Sequence, residues 1–447
     1  MSFSRWATTN EMKERLTEID INDSVPTSGI PLLNENNKIY INDSEMHNLV
    51  IGSTGSGKTQ SVILPSLKLS IKANESILIE DPIGEIYEMN AKHLQEEGYN
   101  TIVIDLQDSR KGNNWNPLTL AYKLYKEGNK DKALDLIDDL GYYLFSDTTR
   151  TNSDPFWVNS VINYFSGLTL YLFENAKEEE INLKSIECLT NQINENKLSQ
   201  EFIEKIDSNS IIYSKLVGTL KAPAETKGSI LAVFRQKIEK FVAKENLTNM
   251  LSTTDFDITN ILKEKTAIFI VSGTNSQCEN LVPLFVDQVI DTISIYGNKE
   301  RKLNVLLDEF DSLLPIRNFA RKLEYCRSLG IKITVCIRSF VHLQNMYSKE
   351  EVEILKMCFG NLIYLLSKDI YTLEEISRYC GEEKENKPLI SKEELQTLKQ
   401  FEAVIIMTRM MPYKTKLMAD YKIDWGYTNE KVELPQRKTN EIKIFKY

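Results

Sequence analysis

Short apolar runs alternate with helix-compatible stretches in the first and last parts of the chain. Such alternation is typical of a parallel sheet whose strands are joined by crossover helices. The apolar runs predict strands over 48–51, 76–80, 101–105, 266–273, 303–309, 332–337, 361–367 and 403–408. We therefore predict an α/β fold with a mostly parallel central sheet.

Residues 118–262 follow a different pattern, with long helical periodicity, few β-branched runs and turns marked by Asn, Ser and Gly. This pattern predicts an all-α domain that interrupts the sheet domain. The predicted boundaries are 1–117 and 263–447 for the two parts of the nucleotide-binding domain, with 118–262 between them. Within the helical segment, Asp154 is predicted to cap a helix whose first turn contains Pro155.

The longest uncharged stretch, 156–173, is close to the minimum length of a membrane span. Polar residues such as Asn159 and Ser166 interrupt it, which favours a buried helix. The chain opens without a signal peptide, and Thr8 and Glu11 are spaced as a capping box at a helix start. We therefore expect a soluble chain.

The 447 residues carry a net charge of −10, so overall charge gives no sign of nucleic-acid binding. The six cysteines include no C-x-x-C pair and only three histidines are present, which excludes the usual zinc spacings. Charge is uneven in the helical segment. Residues 174–209 contain nine acidic residues against four lysines, whereas 211–244 contain seven basic residues against two glutamates. This asymmetry indicates either a partner surface beside a nucleic-acid or inter-subunit surface, or two ordinary solvated helix faces.

The sequence "LVIGSTGSGKTQ" contains the phosphate-binding pattern G-x-x-x-x-G-K-[ST] between an apolar strand and a helix. Its glycines allow successive backbone N–H groups to face a phosphate, and the helix dipole adds positive potential. Lys58 is expected to contact the β- and γ-phosphates of ATP, and the Thr59 hydroxyl to bind Mg²⁺. The candidate nucleotide-binding residues are Gly52, Ser53, Thr54, Gly55, Ser56, Gly57, Lys58, Thr59 and Gln60.

A second acidic site follows the apolar strand of "LNVLLDEFDSLL". Asp308, at the strand end, is a candidate Mg²⁺ ligand, and Glu309 is placed to polarise the water that attacks the γ-phosphate. Asp308 and Lys58 are 308 − 58 = 250 residues apart, so a segment of domain size separates them. The acidic pair favours a hydrolysing ATPase over a kinase.

Together these motifs resemble the coupling ATPases of type IV secretion and conjugation, the TraG/TraD-like family. The resemblance extends over nearly the whole chain. The passages that carry it are "RWATTNEMKERL", "HNLVIGSTGSGKT", "DPIGE" within 77–118, "DPFW" at 154–157, "LLDEFDSLLPIRNFARKLEYCRSLGIKITV" and "LISKEELQTLKQFEAVIIM".

The resemblance implies a RecA-like ATPase that assembles into a homo-hexameric ring, with a monomer as the alternative state of the isolated chain. It implies single- or double-stranded DNA and a relaxase-bound substrate as partners. The substrate would be recognised by the all-α domain at the ring mouth and presented to a membrane channel. Arg327, in "CRSLG", matches the arginine that the family presents to a neighbour's γ-phosphate.

Three features depart from the family pattern. Ile83 replaces the lysine of the family's Asp-Pro-Lys-Gly-Glu signature, and Arg338 occupies the position of a glutamine that senses the γ-phosphate. An arginine can contact phosphate, but it cannot accept a hydrogen bond from water. The chain also opens at the family's cytosolic segment. We therefore expect a cytoplasmic protein at the inner face of the membrane that uses a small separate membrane anchor, or else a truncated chain.

Two alternative functions remain open from the sequence. One is a generic ring-shaped DNA translocase, which "DPIGE" and the helical insertion disfavour. The other is an ATP-dependent docking platform with little turnover, for which Ile83 and Arg338 are the supporting observations. A platform that recruits protein effectors without DNA is a variant of the second alternative.

Overall fold

The computed structural model describes residues 3–23, 25–35, 38–146, 155–195, 199–273, 280–297, 301–427 and 430–447. Its strands are β1 (Thr17–Ile19), β2 (Ile30–Glu35), β3 (Lys38–Asn42), β4 (His47–Gly52), β5 (Ser76–Glu80), β6 (Asn100–Asp105), β7 (Thr266–Val271), β8 (Leu303–Leu307), β9 (Ile331–Ile337), β10 (Phe359–Leu366), β11 (Glu382–Lys384), β12 (Lys387–Pro388), β13 (Glu402–Met407) and β14 (Tyr413–Lys416). The predicted strands correspond to β4–β10 and β13.

The α-helices are α1 (Thr9–Lys13), α2 (Leu64–Lys72), α3 (Glu85–Glu96), α4 (Thr119–Lys126), α5 (Lys130–Phe145), α6 (Pro155–Asn175), α7 (Leu183–Glu195), α8 (Ser199–Glu204), α9 (Ile211–Leu220), α10 (Ala224–Val242), α11 (Glu245–Met250), α12 (Leu281–Tyr296), α13 (Phe319–Cys326), α14 (Phe340–Met346), α15 (Lys349–Cys358), α16 (Ile370–Cys380) and α17 (Lys392–Gln396). A π-helical turn, Thr59–Ile63, leads directly into α2. At α1 the predicted capping box of Thr8 and Glu11 is confirmed.

The central sheet has the strand order β14, β13, β10, β4, β9, β8, β5, β7, β6. Neighbouring strands from β10 to β7 are parallel, and β13 and β14 are antiparallel additions at one side. Strands β4, β5, β7 and β8 are buried along their whole length, which explains their continuous apolar runs. The predicted α/β fold with a mostly parallel sheet is confirmed.

The order of the strands places distant parts of the chain side by side. Strand β5 follows β4 in the chain, but β9 and β8 lie between them in the sheet. Because these strands are parallel, their carboxyl ends meet at one edge. Gly52, Glu80, Asp308 and Arg338 each lie at or next to such an end.

The chain forms two compact units, and the central sheet belongs almost entirely to the first. This unit comprises 1–103, 258–274 and 289–434. It also contains a small antiparallel sheet with the order β1, β3, β2, which the sequence analysis did not predict.

The second unit comprises 104–257, 275–288 and 435–447. Between 118 and 262, the part of the chain that the structure describes contains helices and no strand. The unit is wider than the predicted insertion, since it includes the carboxyl-terminal residues. Arg437 is buried there, where it donates hydrogen bonds to the Asn114 and Asn249 side-chain oxygens at 2.7 and 2.6 Å.

Helix α6 corresponds to the uncharged segment at 156–173; its second part, 164–173, is mostly buried, as predicted, whereas Phe156 near its start is 49 % exposed. Its Ser166 hydroxyl donates to Asp138 at 2.6 Å, and Thr169 donates to the Phe165 carbonyl at 2.9 Å, so these polar groups are satisfied inside the unit. None of the helices in the described ranges has the length and apolar character that a bilayer crossing requires. The predicted N-cap residue, Asp154, lies outside the described residues.

His47 connects three elements at the amino-terminal edge of the sheet. It is completely buried; its Nε2 lies 2.7 Å from the Leu323 carbonyl oxygen, and its Nδ1 accepts the N–H of Ile333 at 3.0 Å. These contacts fix the neutral tautomer with the proton on Nε2. Burial lowers the pKa of His47 to about 4, and the positive charges of Arg327 and Lys332 act in the same direction.

We predict that His47 makes the stability of the protein depend on pH. Because its folded pKa lies below the ordinary value of 6.5, the unfolded chain binds the proton more readily, and stability is lost as pH falls from about 6.5 to about 4. The shift corresponds to about 3 kcal/mol. Urea unfolding of the wild type and His47→Gln across this range should show a smaller loss in the variant. His342→Gln, which removes a histidine that is not buried, is the control; equal losses in all three proteins would refute the assignment.

Candidate functional site

The phosphate-binding loop follows β4, and the side chain of its lysine is hydrogen-bonded to the backbone at the start of the loop. The Lys58 ammonium donates to the Gly52 carbonyl at 2.5 Å, and the Ser53 N–H donates to the Leu366 carbonyl on the neighbouring strand at 2.7 Å. Gly57 has φ +99°, and a Cβ at this position would lie 2.5 Å from the Phe401 ring. Only glycine satisfies both constraints, so the glycine pattern has a direct steric cause.

The acidic strand end lies next to this loop. The Thr59 hydroxyl donates to Asp308 Oδ2 at 2.5 Å, which joins the two motifs that the sequence separates widely. The other oxygen, Asp308 Oδ1, is buried without a nitrogen or oxygen donor. Burial raises the pKa of Asp308, while the Thr59 hydrogen bond and the charge of Lys58 oppose this effect.

The pair of Thr59 and Asp308 fits a Mg²⁺ site. A hydroxyl oxygen and a carboxylate oxygen are ligands that Mg²⁺ accepts directly or through water, and the unpaired Oδ1 leaves an acceptor available. A Mg²⁺ ion bound there would supply positive charge to the β- and γ-phosphates. Thr59 and Asp308 would hold it beside Lys58.

Glu309 is exposed and lines the same cleft. Its carboxylate is therefore free to orient a water molecule, whereas its backbone is fixed. The Glu309 N–H donates to Glu80 Oε2 at 3.0 Å, and the Ser272 hydroxyl donates to Glu80 Oε1 at 3.1 Å. The position of the proposed catalytic glutamate thus depends on a second, buried glutamate.

Glu80 is a site residue that the sequence analysis missed. It is 1 % exposed, and burial raises its pKa to about 8, with the nearby charges of Asp308 and Glu309 adding to the rise. The available signal was an acidic residue at the end of the apolar run "SILIE", the same arrangement as in "NVLLDE". Sequence alone could not show that these two strands are neighbours.

Arg338 lies in the cleft and is held by Asp311. The carboxylate of Asp311 accepts the Arg338 backbone N–H at 2.8 Å and its Nε–H at 3.0 Å. The structure therefore brings Arg338 to the nucleotide side of the sheet with its guanidinium tied to a carboxylate. Its role as a γ-phosphate sensor remains a prediction.

Arg327 lies at the other edge of the sheet. It follows α13 and its charge acts on His47, which begins β4, whereas the phosphate-binding loop follows the end of β4. Five residue steps of strand separate the two ends of β4, or roughly 16 Å. Arg327 therefore does not join Lys58 and Asp308 within one subunit.

The "DPIGE" turn has a structural role that does not involve Ile83. Asp81 accepts the N–H groups of Gly84 and Tyr87 at 3.0 and 2.8 Å, which starts α3. Burial raises the pKa of Asp81 to about 6. The Ile83 side chain is 55 % exposed, so the missing lysine leaves this turn intact.

The cleft has a volume of about 340 Å³, within the range of ligand pockets. The sequence analysis missed five of its residues, three of which come from the last part of the sheet unit. The lining is formed by Thr54, Gly55, Gly57, Lys58, Thr59, Gln60, Asp308, Glu309, Asp311, Ser312, Arg338, Gln400, Phe401 and Tyr421. The missed residues are Asp311 and Ser312, which follow β8, and Gln400, Phe401 and Tyr421.

The family model described as type IV secretory system conjugative DNA transfer matches residues 5–386. The chain belongs to this family. The resemblance to the coupling ATPases of conjugation is thereby confirmed. Sequences of curated proteins give no significant match.

Solved structures agree on the fold. The plasmid coupling protein TrwB in complex with the ATP analogue ADPNP has a TM-score of 0.70 at 15 % identity, covering 99 % of this chain and 97 % of that one. TrwB in complex with ADP and Mg²⁺ has a TM-score of 0.70 at 16 % identity, covering 98 % and 96 %. At such identities the likeness establishes the RecA-like fold with its all-α domain. Family membership and the P-loop make the chain a P-loop ATPase of conjugative transfer that uses ATP and Mg²⁺.

We predict that Glu80 acts on turnover by holding the Glu309 backbone. Glu80→Leu removes the acceptor of the Glu309 N–H, so kcat for ATP should fall about tenfold, the equivalent of one lost hydrogen bond, with KM nearly unchanged. Glu80→Gln keeps an acceptor oxygen and should retain most of the activity. Steady-state ATP hydrolysis checks both variants. An unchanged kcat in Glu80→Leu would show that Glu80 has no such role.

Proposed function

We propose that this protein uses ATP hydrolysis to recruit a DNA–relaxase substrate and to move it to a membrane transfer channel. The observation that carries the proposal is the family match over 5–386 together with a site in which the two ATP motifs contact each other. The choice of ATP as the nucleotide is supported by TrwB, which has a similar fold and was solved with an ATP analogue and with ADP and Mg²⁺.

The proposed roles follow from the contacts at the site. Lys58 leaves the Gly52 carbonyl to bind the β- and γ-phosphates, and Thr59 and Asp308 hold Mg²⁺. Glu309 orients the attacking water and accepts its proton. The remaining loop residues from Gly52 to Gln60 surround the phosphates, which the backbone N–H groups near the start of the helix bind, whereas the Ser53 N–H is held by the Leu366 carbonyl.

Arg327 is proposed to act on the ATP of a neighbouring subunit. It is exposed and lies at the sheet edge opposite its own phosphate-binding loop, so only a second copy of the chain can bring it to a γ-phosphate. A guanidinium supplied in this way stabilises transition-state charge and makes hydrolysis depend on assembly. A homo-hexameric ring is the arrangement we propose.

The helical segment 118–262 is proposed as the domain that recognises the substrate. Its basic stretch includes Lys237 and Lys240, which are three residues apart on one side of α10, and Lys244, which follows the end of that helix. We propose that these lysines contact DNA phosphates. The relaxase is proposed to bind the acidic part of the segment, 174–209.

The proposed location is the inner face of the cell membrane, where a channel component or a small anchor protein would hold the ring. A docking platform with slow turnover is the second candidate. The observation in its favour is that the Asp311 carboxylate accepts two hydrogen bonds from Arg338, one from its backbone N–H and one from its Nε–H. These bonds restrain the residue that occupies the γ-phosphate sensor position.

We predict that Arg327→Ala abolishes hydrolysis and leaves ATP binding of the monomer unchanged. Glu309→Gln should also bind ATP without hydrolysing it. Mixing equal amounts of the two inactive variants should restore about a quarter of the wild-type rate, because about one interface in four then combines an intact glutamate with an intact arginine. Arg321→Ala, on the exposed side of α13, is the matched control and should keep full activity. Wild-type hydrolysis by Arg327→Ala would refute the assignment, and no recovery on mixing would refute action between subunits.

We predict that DNA stimulates hydrolysis and that the basic residues at the end of α10 and just after it contribute to DNA affinity. Changing Lys237, Lys240 and Lys244 to Gln should reduce the slope of log affinity against log salt by about 0.9 for each lost phosphate contact. Fluorescence anisotropy with duplex DNA measures this slope. The control changes three lysines of the acidic part, Lys177, Lys184 and Lys205, and should leave the slope unaltered. A rate that is insensitive to DNA would favour the docking platform.

A further inference from the structure

Two aromatic side chains, Phe401 and Tyr421, line the nucleotide cleft. Phe401 is 7 % exposed and has φ +68°, a left-handed conformation that is unfavourable for a residue with a side chain. Its carbonyl accepts the Leu417 N–H at 2.9 Å, and its ring is packed against Gly57 of the phosphate-binding loop. Backbone strain of this kind persists where surrounding contacts impose it, and it is concentrated at functional sites.

Tyr421 presents a second ring to the same cleft. It lies on the 3₁₀ turn Asp420–Lys422, and 67 % of it is exposed, an unusual state for a large aromatic residue. Its ring centroid is 6.5 Å from that of Phe401, and the rings are inclined at 64°. Both rings line the cleft next to the phosphate-binding loop, and Tyr421 supplies most of the exposed aromatic surface.

The turn that carries Tyr421 is attached to the helix that follows the phosphate-binding loop. Asp420 accepts the Lys68 ammonium of α2 at 2.7 Å and the Trp425 indole N–H at 3.0 Å. The Lys68 and Asp420 side chains are 4 % and 7 % exposed, and the Lys68 nitrogen lies 5.5 Å from the Trp425 ring centroid. A buried pair with this many partners fixes the turn relative to α2.

We infer that Phe401 and Tyr421 form the surface that binds the nucleobase of the bound nucleotide, and that the contacts among Lys68, Asp420 and Trp425 position it. The ligand class is a purine nucleoside triphosphate, since a purine has the larger face for stacking. Gln400 lines the same part of the cleft and has both a donor and an acceptor, so it can pair with the edge of adenine or guanine. Discrimination between ATP and GTP should therefore be weak.

This inference rests on the proposed binding of ATP at the phosphate-binding loop, and inorganic tripolyphosphate with Mg²⁺ separates the two. It carries the phosphate chain but no base, so its affinity reports on the loop alone. Isothermal titration calorimetry should give similar affinities for ATP and GTP and a lower affinity for UTP. Lys58→Ala should weaken binding of ATP and tripolyphosphate together; unchanged binding of both would overturn the proposed function itself.

Tyr421→Ala tests the aromatic surface. Loss of one stacking partner should weaken ATP binding roughly tenfold while tripolyphosphate binding stays the same, and Tyr421→Phe should restore the wild-type affinity. Tyr379→Ala removes a partly exposed tyrosine of α16, outside the cleft, and should change neither affinity. Unchanged ATP affinity in Tyr421→Ala, or equal weakening of both ligands, would overturn the inference.

The double variant Lys68→Met with Asp420→Asn tests the positioning residues. It removes both buried charges together, so no unpaired charge is left inside the protein. The ratio of ATP to tripolyphosphate affinity should fall as in Tyr421→Ala, whereas a role in stability alone would lower the melting temperature without changing that ratio. An unchanged ratio would show that the pair does not position the base surface.

Discussion

The parallel alignment of β4, β9, β8 and β5 is the constraint on which the site depends. Hydrogen-bonded register brings their carboxyl ends to one edge, although β8 follows β5 in the chain by more than two hundred residues. The contact between Thr59 and Asp308 exists only because β9 alone separates β4 from β8. A helical insertion of any length can therefore interrupt the chain here without separating the two ATP motifs.

Burial of carboxylates at this edge is the electrostatic consequence of that alignment. Glu80 and Asp308 both end buried strands, and desolvation raises the pKa of each. The cost of burying them is offset by hydrogen bonds from Glu309, Ser272 and Thr59. A cluster of this kind is suited to a bound cation and to a fixed catalytic backbone, so the electrostatics of the fold and the chemistry of the site have one cause.

The nucleotide cleft combines two kinds of surface. Polar groups from the strand ends and the loop line the part that we propose binds the phosphates, whereas Phe401 and Tyr421 come from the connections on either side of β13 and β14. The turn that carries Tyr421 is held by a buried ion pair with Lys68 of α2. The phosphate-binding loop leads into the same helix, so α2 positions both parts of the cleft. The second unit contains its own buried network, centred on Arg437 and the helices that it contacts.

Local sequence determined the elements and chemistry that need no distant neighbour. The phosphate-binding loop, the acidic pair, the central strands and the capping box at Thr8 follow from short patterns, because glycine geometry, apolar runs and caps act within a few residues. Strands β1–β3 were missed, since they are three to six residues long, pair antiparallel and lie outside the alternation of strands and helices that predicted the central sheet. Only tertiary structure decided that Glu80 supports Glu309, that Phe401 and Tyr421 border the cleft, and that Arg327 lies at the opposite edge. Each depends on the order of strands in the sheet, which long-range packing sets and no local pattern encodes.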